Sequence, residues 1–195
     1  MDKDIRNFPL ISFAYSGCYK ETVLAVELLN SMTKILLLSD THGYIDNTIL
    51  KYAGQADEVW HAGDVGSLAV TDALSEVSSL KAVHGNIDDH IIQREFPLHQ
   101  RFYCEGVDVW ITHIGGYPNR YDRRIREEIR ENPPKLFISG HSHILKVMND
   151  KGLGLLHMNP GACGNRGLHQ VRTMLRFTID GKDIQDLEVI ELGKR

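Results

Sequence analysis

Lys34-Ile35-Leu36-Leu37-Leu38-Ser39-Asp40-Thr41-His42-Gly43 reads as a buried strand that runs straight into a polar loop. Its apolar run is continuous rather than alternating, as expected of a strand covered on both faces in a parallel sheet. The same arrangement recurs four times downstream. Glu58–Ala62 leads to Gly63-Asp64, Leu80–His84 to Gly85-Asn86, Val107–Thr112 to His113, and Leu136–Ser139 to Gly140-His141-Ser142-His143. Helical spacing separates the first three runs: Ile45, Ile49, Leu50 and Ala53, with Asp46 as a candidate cap, then Leu68, Ala73, Leu74 and Val77. Such a βαβαβ series predicts parallel strands with right-handed crossovers. In open α/β sheets, ligands bind beyond the carboxyl ends of the strands. Asp40, His42, Asp64, Asn86, His113, His141 and His143 are therefore expected at one edge, where their O and N donors could hold two divalent ions around one water.

The second half has a different character. Phe102–Glu105 and Val107–Thr112 flank Gly106 as a hairpin, and Ile144–Met148 with Leu153–Met158 flank Asn149-Asp150-Lys151-Gly152 as another. Tyr121–Glu131 reads as a charged helix that stops at Asn132-Pro133-Pro134, because proline lacks the N–H that continues a helix. Arg120, Arg123, Arg124, Arg126 and Arg130 are interleaved there with Asp122, Glu127, Glu128 and Glu131, which predicts a solvated face laced with i,i+4 pairs. Val171–Ile179 alternates and turns at Asp180-Gly181 into Ile184–Glu191. A parallel first half and an antiparallel second half predict two sheets packed together, with helices outside.

A chain of 195 residues suits one domain with a substantial core, and no linker or repeat divides it. Residues 32–195 form that domain in this reading, and residues 1–31 an N-terminal extension. Phe8–Gly17 is apolar but short, with mixed charges around it and no clear cleavage site, and no run approaches the roughly 20 apolar residues of a membrane span. The net charge of −4 argues against stable nucleic-acid binding, though not against a nucleotide substrate. Cys18, Cys104 and Cys163 are odd in number and form no CxxC pair, which suits a reducing cytoplasm.

The candidate donors suit hydrolysis at a metal pair. A carboxylate has two oxygens, so Asp64 can bridge two ions, while Gly63 before it permits close approach and a sharp turn. Two divalent ions outweigh the charges of Asp40 and Asp64, leaving a surplus that would stabilise a bridging hydroxide and a charged phosphoryl transition state. Mixed O and N ligation favours Mn²⁺, with Ni²⁺, Fe²⁺, Zn²⁺ or Co²⁺ as alternatives, over Mg²⁺ or Ca²⁺. The remaining histidines His61, His84, His90, His99, His157 and His169 read as loop or hydrogen-bonded core residues, with His61 beneath the site. Side-chain alternation along a strand favours the same for His84. Cys163 reads as a plain small residue, and Arg120, following Tyr117-Pro118-Asn119, could overhang the cleft as a phosphate contact.

Asp40-x-His42, Gly63-Asp64, Gly85-Asn86, His113 and Gly140-His141-x-His143 together resemble the calcineurin-like metallophosphoesterase signature, over about residues 34–167. Gly85-Asn86-Ile87-Asp88 and Asn159-Pro160-Gly161 resemble its small prokaryotic phosphodiesterase branch, which is related to the eukaryotic retromer subunit. The resemblance implies an α/β fold with two mixed sheets in four α/β/β/α layers. It also implies one ion on Asp40, His42, Asp64 and His143, and a second on Asp64, Asn86, His113 and His141. Asp64, Asn86 and His113 carry the catalytic role in this reading. Ile87 stands where many members have a histidine that protonates the leaving oxygen, so modest activity is expected, strongest on aryl phosphodiesters. Asp88 is expected to orient the ligand loop. The implied activity is phosphodiester hydrolysis of a small phosphoester, with no membrane partner and homo-oligomerisation left open. The alternatives are a non-catalytic protein-binding scaffold of the same fold and a phosphomonoesterase or nucleotide phosphatase.

Overall fold

The structure is a computed structural model that describes residues 32–195, so the N-terminal extension lies outside the described residues. Strand β1 (Thr33–Leu38) explains its own continuous hydrophobicity, since successive side chains point to opposite sides of the sheet. Ile35 and Leu37 enter a core between two sheets, while Leu36 and Leu38 enter a second core beneath helices. Both faces are covered, as the quoted run predicts.

Beside β1 lie β2 (Glu58–His61) and β3 (Ser79–Ala82), all parallel, with α1 (Asn47–Ala53) and α2 (Leu68–Ser75) in the crossovers. Asp46 caps α1 by accepting the Ile49 N–H at 2.9 Å. A helix α3 (His90–Glu95) follows β3, capped by Asp89. It is one short turn-and-a-half with a single buried residue, Ile92, so it leaves no periodic trace in the sequence.

The second sheet contains β4 (His99–Cys104), β5 (Val107–Thr112), β8 (Leu136–Ile138), β9 (Leu145–Asp150) and β10 (Leu155–Pro160). Both expected hairpins form, β4 with β5 and β9 with β10, but β5, β8 and β10 between them are parallel. The last hairpin, β11 (Val171–Asp180) with β12 (Asp183–Lys194), joins the first sheet beside β1. The division into a parallel and an antiparallel half is thus corrected: both sheets are mixed. Hairpins announce themselves through their turns, whereas pairing across a long connection leaves no local signal.

Helix α4 (Arg126–Glu131) covers the outer face of the second sheet, over Trp110, Phe137 and Leu155. It is shorter than the expected Tyr121–Glu131. A two-stranded ribbon, β6 (Gly116–Tyr117) with β7 (Arg120–Tyr121), takes its first residue, Tyr121, and a turn follows over residues 123–125. Its i,i+4 pairs are absent among the described ion pairs, where Arg124 meets only Asp122. The layers are therefore α1–α3, first sheet, second sheet, α4. Between the sheets Trp60 is fully buried, edge-on to Phe102 and Phe177 at 5.2 and 5.7 Å. No helix among the described residues is long and apolar enough to cross a membrane.

Candidate metal centre

The loops after β1, β2, β5 and β8 meet where the two sheets face each other. Asp40, His42 and His143 bring one set of ligand atoms together, and Asp64, His113 and His141 a second, each within 4.8 Å. His143 Nε2 lies 3.1 Å from Asp40 Oδ1 and 3.2 Å from His42 Nε2. Asp64 turns Oδ1 to His113 Nε2 at 3.1 Å and Oδ2 to His42 Nε2 at 3.8 Å, so its two oxygens address the two sets separately. The sheets are tied directly at this point, because Asp40 Oδ2 accepts the His141 N–H at 3.1 Å.

Asp40, His42, Asp64, His141 and His143 all hold left-handed backbone, with φ between 50 and 66°. That conformation costs about 1–2 kcal/mol per non-glycine residue, and it concentrates where a surrounding structure must aim side chains. Gly63 adopts φ 94°, and a Cβ there would come within 2.6 Å of the His113 ring. The glycine expected to allow a sharp turn thus also makes room for a candidate ligand.

Side chains beneath the loops hold this geometry. Ser39 Oγ donates to Asp40 Oδ2 at 2.6 Å. His113 Nδ1–H donates to the Ala62 carbonyl at 2.7 Å, which leaves the Nε2 lone pair facing the carboxylates. His61 sits beneath the site as expected. Its Nδ1 accepts the Gly63 N–H and its Nε2 meets Thr41 Oγ1, which donates to the Val65 carbonyl. Asn159 donates to the Gly140 carbonyl at 2.8 Å and so steadies the His141–His143 loop. Ser39, Thr41 and Asn159 escaped the sequence reading as supports; the Asn-Pro-Gly resemblance was the only hint of one of them.

Asp88 ties two of the loops together. Its buried carboxylate accepts the N–H groups of Val65, Gly66 and Gly85, joining the loops that bear Asp64 and Asn86. This is the orienting role expected of it. Asp88→Ala would strand the N–H groups of buried Val65 and Gly85 and release that of exposed Gly66, so a loss of about 2 kcal/mol or more is expected in urea unfolding, with weakened metal binding. Wild-type stability in that variant would remove Asp88 from this role.

The electrostatics suit cation ligands. Burial pushes His42 and His141 below their ordinary value of 6.5, which keeps their rings neutral and able to coordinate. Burial acts the same way on His113, but its contact with Asp64 and the charge of Asp40 outweigh it and raise its pKa. Burial would raise Asp64, yet contact with His113 and the Ile87 N–H lower it. Asp40 Oδ1 and His113 Nε2 are buried and make no hydrogen bond of good geometry among the described residues. A buried lone pair without a donor is costly, and a cation satisfies it. The residues fit divalent ions.

Asn86 lies between Gly85 and Ile87, whose N–H bonds Asp64 Oδ1 at 3.1 Å, and its side chain is exposed. Asn86 and His113 line a cavity of about 300 Å³ with His84, His99 and Arg124. His84 therefore faces the cleft rather than the core, a correction to the alternation argument, because β3 ends at Ala82 before reaching it. A second cavity of about 330 Å³ lies beside His141, with Tyr117, Arg120 and Lys146, and Ile114 lines both. Arg120 thus overhangs the cleft as expected. Cys163 does not join the ligands: it is fully buried, its thiol is pushed up to about 12 by desolvation, and it meets the Ser39 carbonyl.

A family model described as the calcineurin-like phosphoesterase superfamily domain matches residues 33–182. A protein of Methanothermobacter thermautotrophicus named a probable metallophosphoesterase is 27% identical over 164 residues, which is 80% of this chain and 91% of its own. Among solved structures, an archaeal phosphodiesterase superposes with a TM-score of 0.65 at 22% identity, over 82% of this chain and 99% of its own. Vps29 of Entamoeba histolytica, solved with zinc, gives 0.65 at 16% identity, over 81% and 98%. At those identities the two structures bear on the fold alone, and the fold agrees.

Proposed function

This chain belongs to the calcineurin-like phosphoesterase superfamily, and from that premise we propose that it hydrolyses phosphodiesters with a pair of divalent ions. Asp40, His42, Asp64 and His143 would hold one ion and Asp64, Asn86, His113 and His141 the other, with Mn²⁺ favoured. Bound there, the ions would supply a hydroxide nucleophile at neutral pH and positive charge for the phosphoryl oxygens. The observation that carries this reading is Asp64, whose two oxygens face two separate imidazole sets. A scaffold role would not require five strained ligand positions to be maintained.

The two cavities favour a diester. A diester has two organic arms, and the cluster has a recess on either side, divided by Ile114. Arg124 in one recess, and Arg120 with Lys146 in the other, offer cations to phosphate oxygens or other anionic groups, in a protein whose net charge is −4. Ile87 is 46% exposed and can protonate nothing, which favours leaving groups that depart as stable anions. We place this activity in the cytoplasm, on a small phosphoester, without a stable nucleic-acid or membrane partner.

Turnover of bis(p-nitrophenyl) phosphate and p-nitrophenyl phosphate with added Mn²⁺ tests the reading. The diester should be preferred by at least about tenfold in kcat/KM, a modest share of transition-state binding for one extra arm. Preference for the monoester would indicate a phosphatase, and no turnover with no bound metal would indicate a scaffold. Ile87→His should speed alkyl diesters by about tenfold or more, up to the 10²–10⁴ that general acids supply, and leave p-nitrophenyl esters nearly unchanged. Equal rates on alkyl esters would mean that leaving-group protonation does not limit turnover.

A further inference from the structure

His169 belongs to none of the ligand positions, yet it touches one of them. Its Nδ1 lies 3.2 Å from His143 Nδ1, its Nε2 lies 3.1 Å from the Gly164 carbonyl, and the two rings meet edge-on at 5.2 Å. A carbonyl oxygen can only accept, so His169 Nε2 carries the proton and donates to it. In a neutral imidazole the other nitrogen is then an acceptor, and the donor before it among the described residues is His143 Nδ1–H. The His143 proton is thereby held at Nδ1, and its Nε2 lone pair faces Asp40 Oδ1 and His42 Nε2. The reverse order would set the His169 Nε2 lone pair against that of the carbonyl. Both nitrogens of His169 are engaged, so it is not itself a ligand.

We propose that His169 is a positioning residue for the ion held by Asp40, His42 and His143, passing the direction of the Gly164 carbonyl through two imidazoles to the coordinating nitrogen. This rests on the metal reading above. Gly167 lets the loop come this close: at φ 121° it lies against both rings, and a Cβ there would run into His143 Nδ1. The companion set needs no such relay, since His113 is anchored directly on the Ala62 carbonyl. The two ions are therefore unequal in their dependence on the 164–169 loop.

Calorimetric titration of the full chain with Mn²⁺ tests this. Wild type should take up two ions. His169→Ala should weaken one step by about 10–100-fold, the usual effect of losing a partner behind a ligand, and leave the other within about twofold. His169→Gln, whose amide oxygen can accept the His143 Nδ1–H, should restore the weakened step to within about threefold, and His169→Phe should not. Unchanged binding by folded His169→Ala, or loss of both steps together, would each overturn the proposal. A wild type that binds no ion would overturn the metal reading beneath it, which is a different result from two ions bound and His169 indifferent.

Discussion

Asp64→Asn is expected to abolish metal-activated turnover, by more than about 10³-fold, because a metal pair supplies both nucleophile and charge stabilisation. The substitution is nearly isosteric, so its effect is chemical. Asp64 Oδ1 accepts the Ile87 N–H and lies 3.1 Å from His113 Nε2, while Oδ2 faces His42 Nε2 at 3.8 Å. An amide keeps one oxygen and turns the other position into an N–H₂ donor. With its oxygen toward Ile87 it still holds the loop after β3, but it presents hydrogen atoms to the set containing His42. It also removes one of the two carboxylates among the candidate ligands. The variant should therefore unfold near the wild-type temperature without metal and show weak or missing uptake of the ion expected on Asp40, His42 and His143. Turnover within tenfold of wild type, with both ions bound, would take the bridging role away from Asp64.

That residue also shows why the site was largely legible in the sequence. Most candidate ligands follow closely on a strand with a largely apolar run, and Asn86 comes four positions after β3, so strand ends and donors could be read together before any pairing was known. Asp46 was legible for a related reason, since a carboxylate ahead of a helix has a local task; Asp88 was less so, because its bonds to Val65 and Gly66 reach 23 and 22 positions back. What stayed hidden was long-range. The parallel pairing of β5, β8 and β10 joins segments without a shared turn. The Ala62 carbonyl behind His113 lies 51 positions away. His169, 26 positions from His143, read as a loop residue because a histidine partner two loops distant has no local signature. The arginines of Tyr121–Glu131 were misread because the charge pattern suits i,i+4 pairs on a long helix, whereas β7 and the turn over residues 123–125 leave a helix of six residues.

Lowering the pH from 7.5 to 5 is expected to remove about 4 kcal/mol of stability through two buried histidines, about 2 kcal/mol from each. Desolvation depresses His61 and His157 from 6.5 to about 4. Between those values the unfolded chain binds protons that the folded chain refuses. The stabilisation is thus complete above pH 6.5 and lost as the pH falls toward about 4. Both rings have structural reasons to stay neutral. His61 Nδ1 accepts the Gly63 N–H, a bond that protonation would break just before Asp64. His157 Nε2 meets Ser139 Oγ, and its Nδ1 is buried with no acceptor for a second proton. His42, His99, His141 and His169 are also lowered, first by burial, and push in the same direction. His113 is raised and opposes them, but alone. Urea midpoints of the metal-free protein at pH 7.5 and 5 should differ by more than about 1 M, given an m-value of about 1–3 kcal/mol/M. His157→Met cannot take up the proton, so its stability should fall by about half as much over the same range, even from a lower start. A midpoint that does not move with pH would mean that neither ring is held neutral, and that the bond from Gly63 to His61 does not fix the turn carrying Asp64.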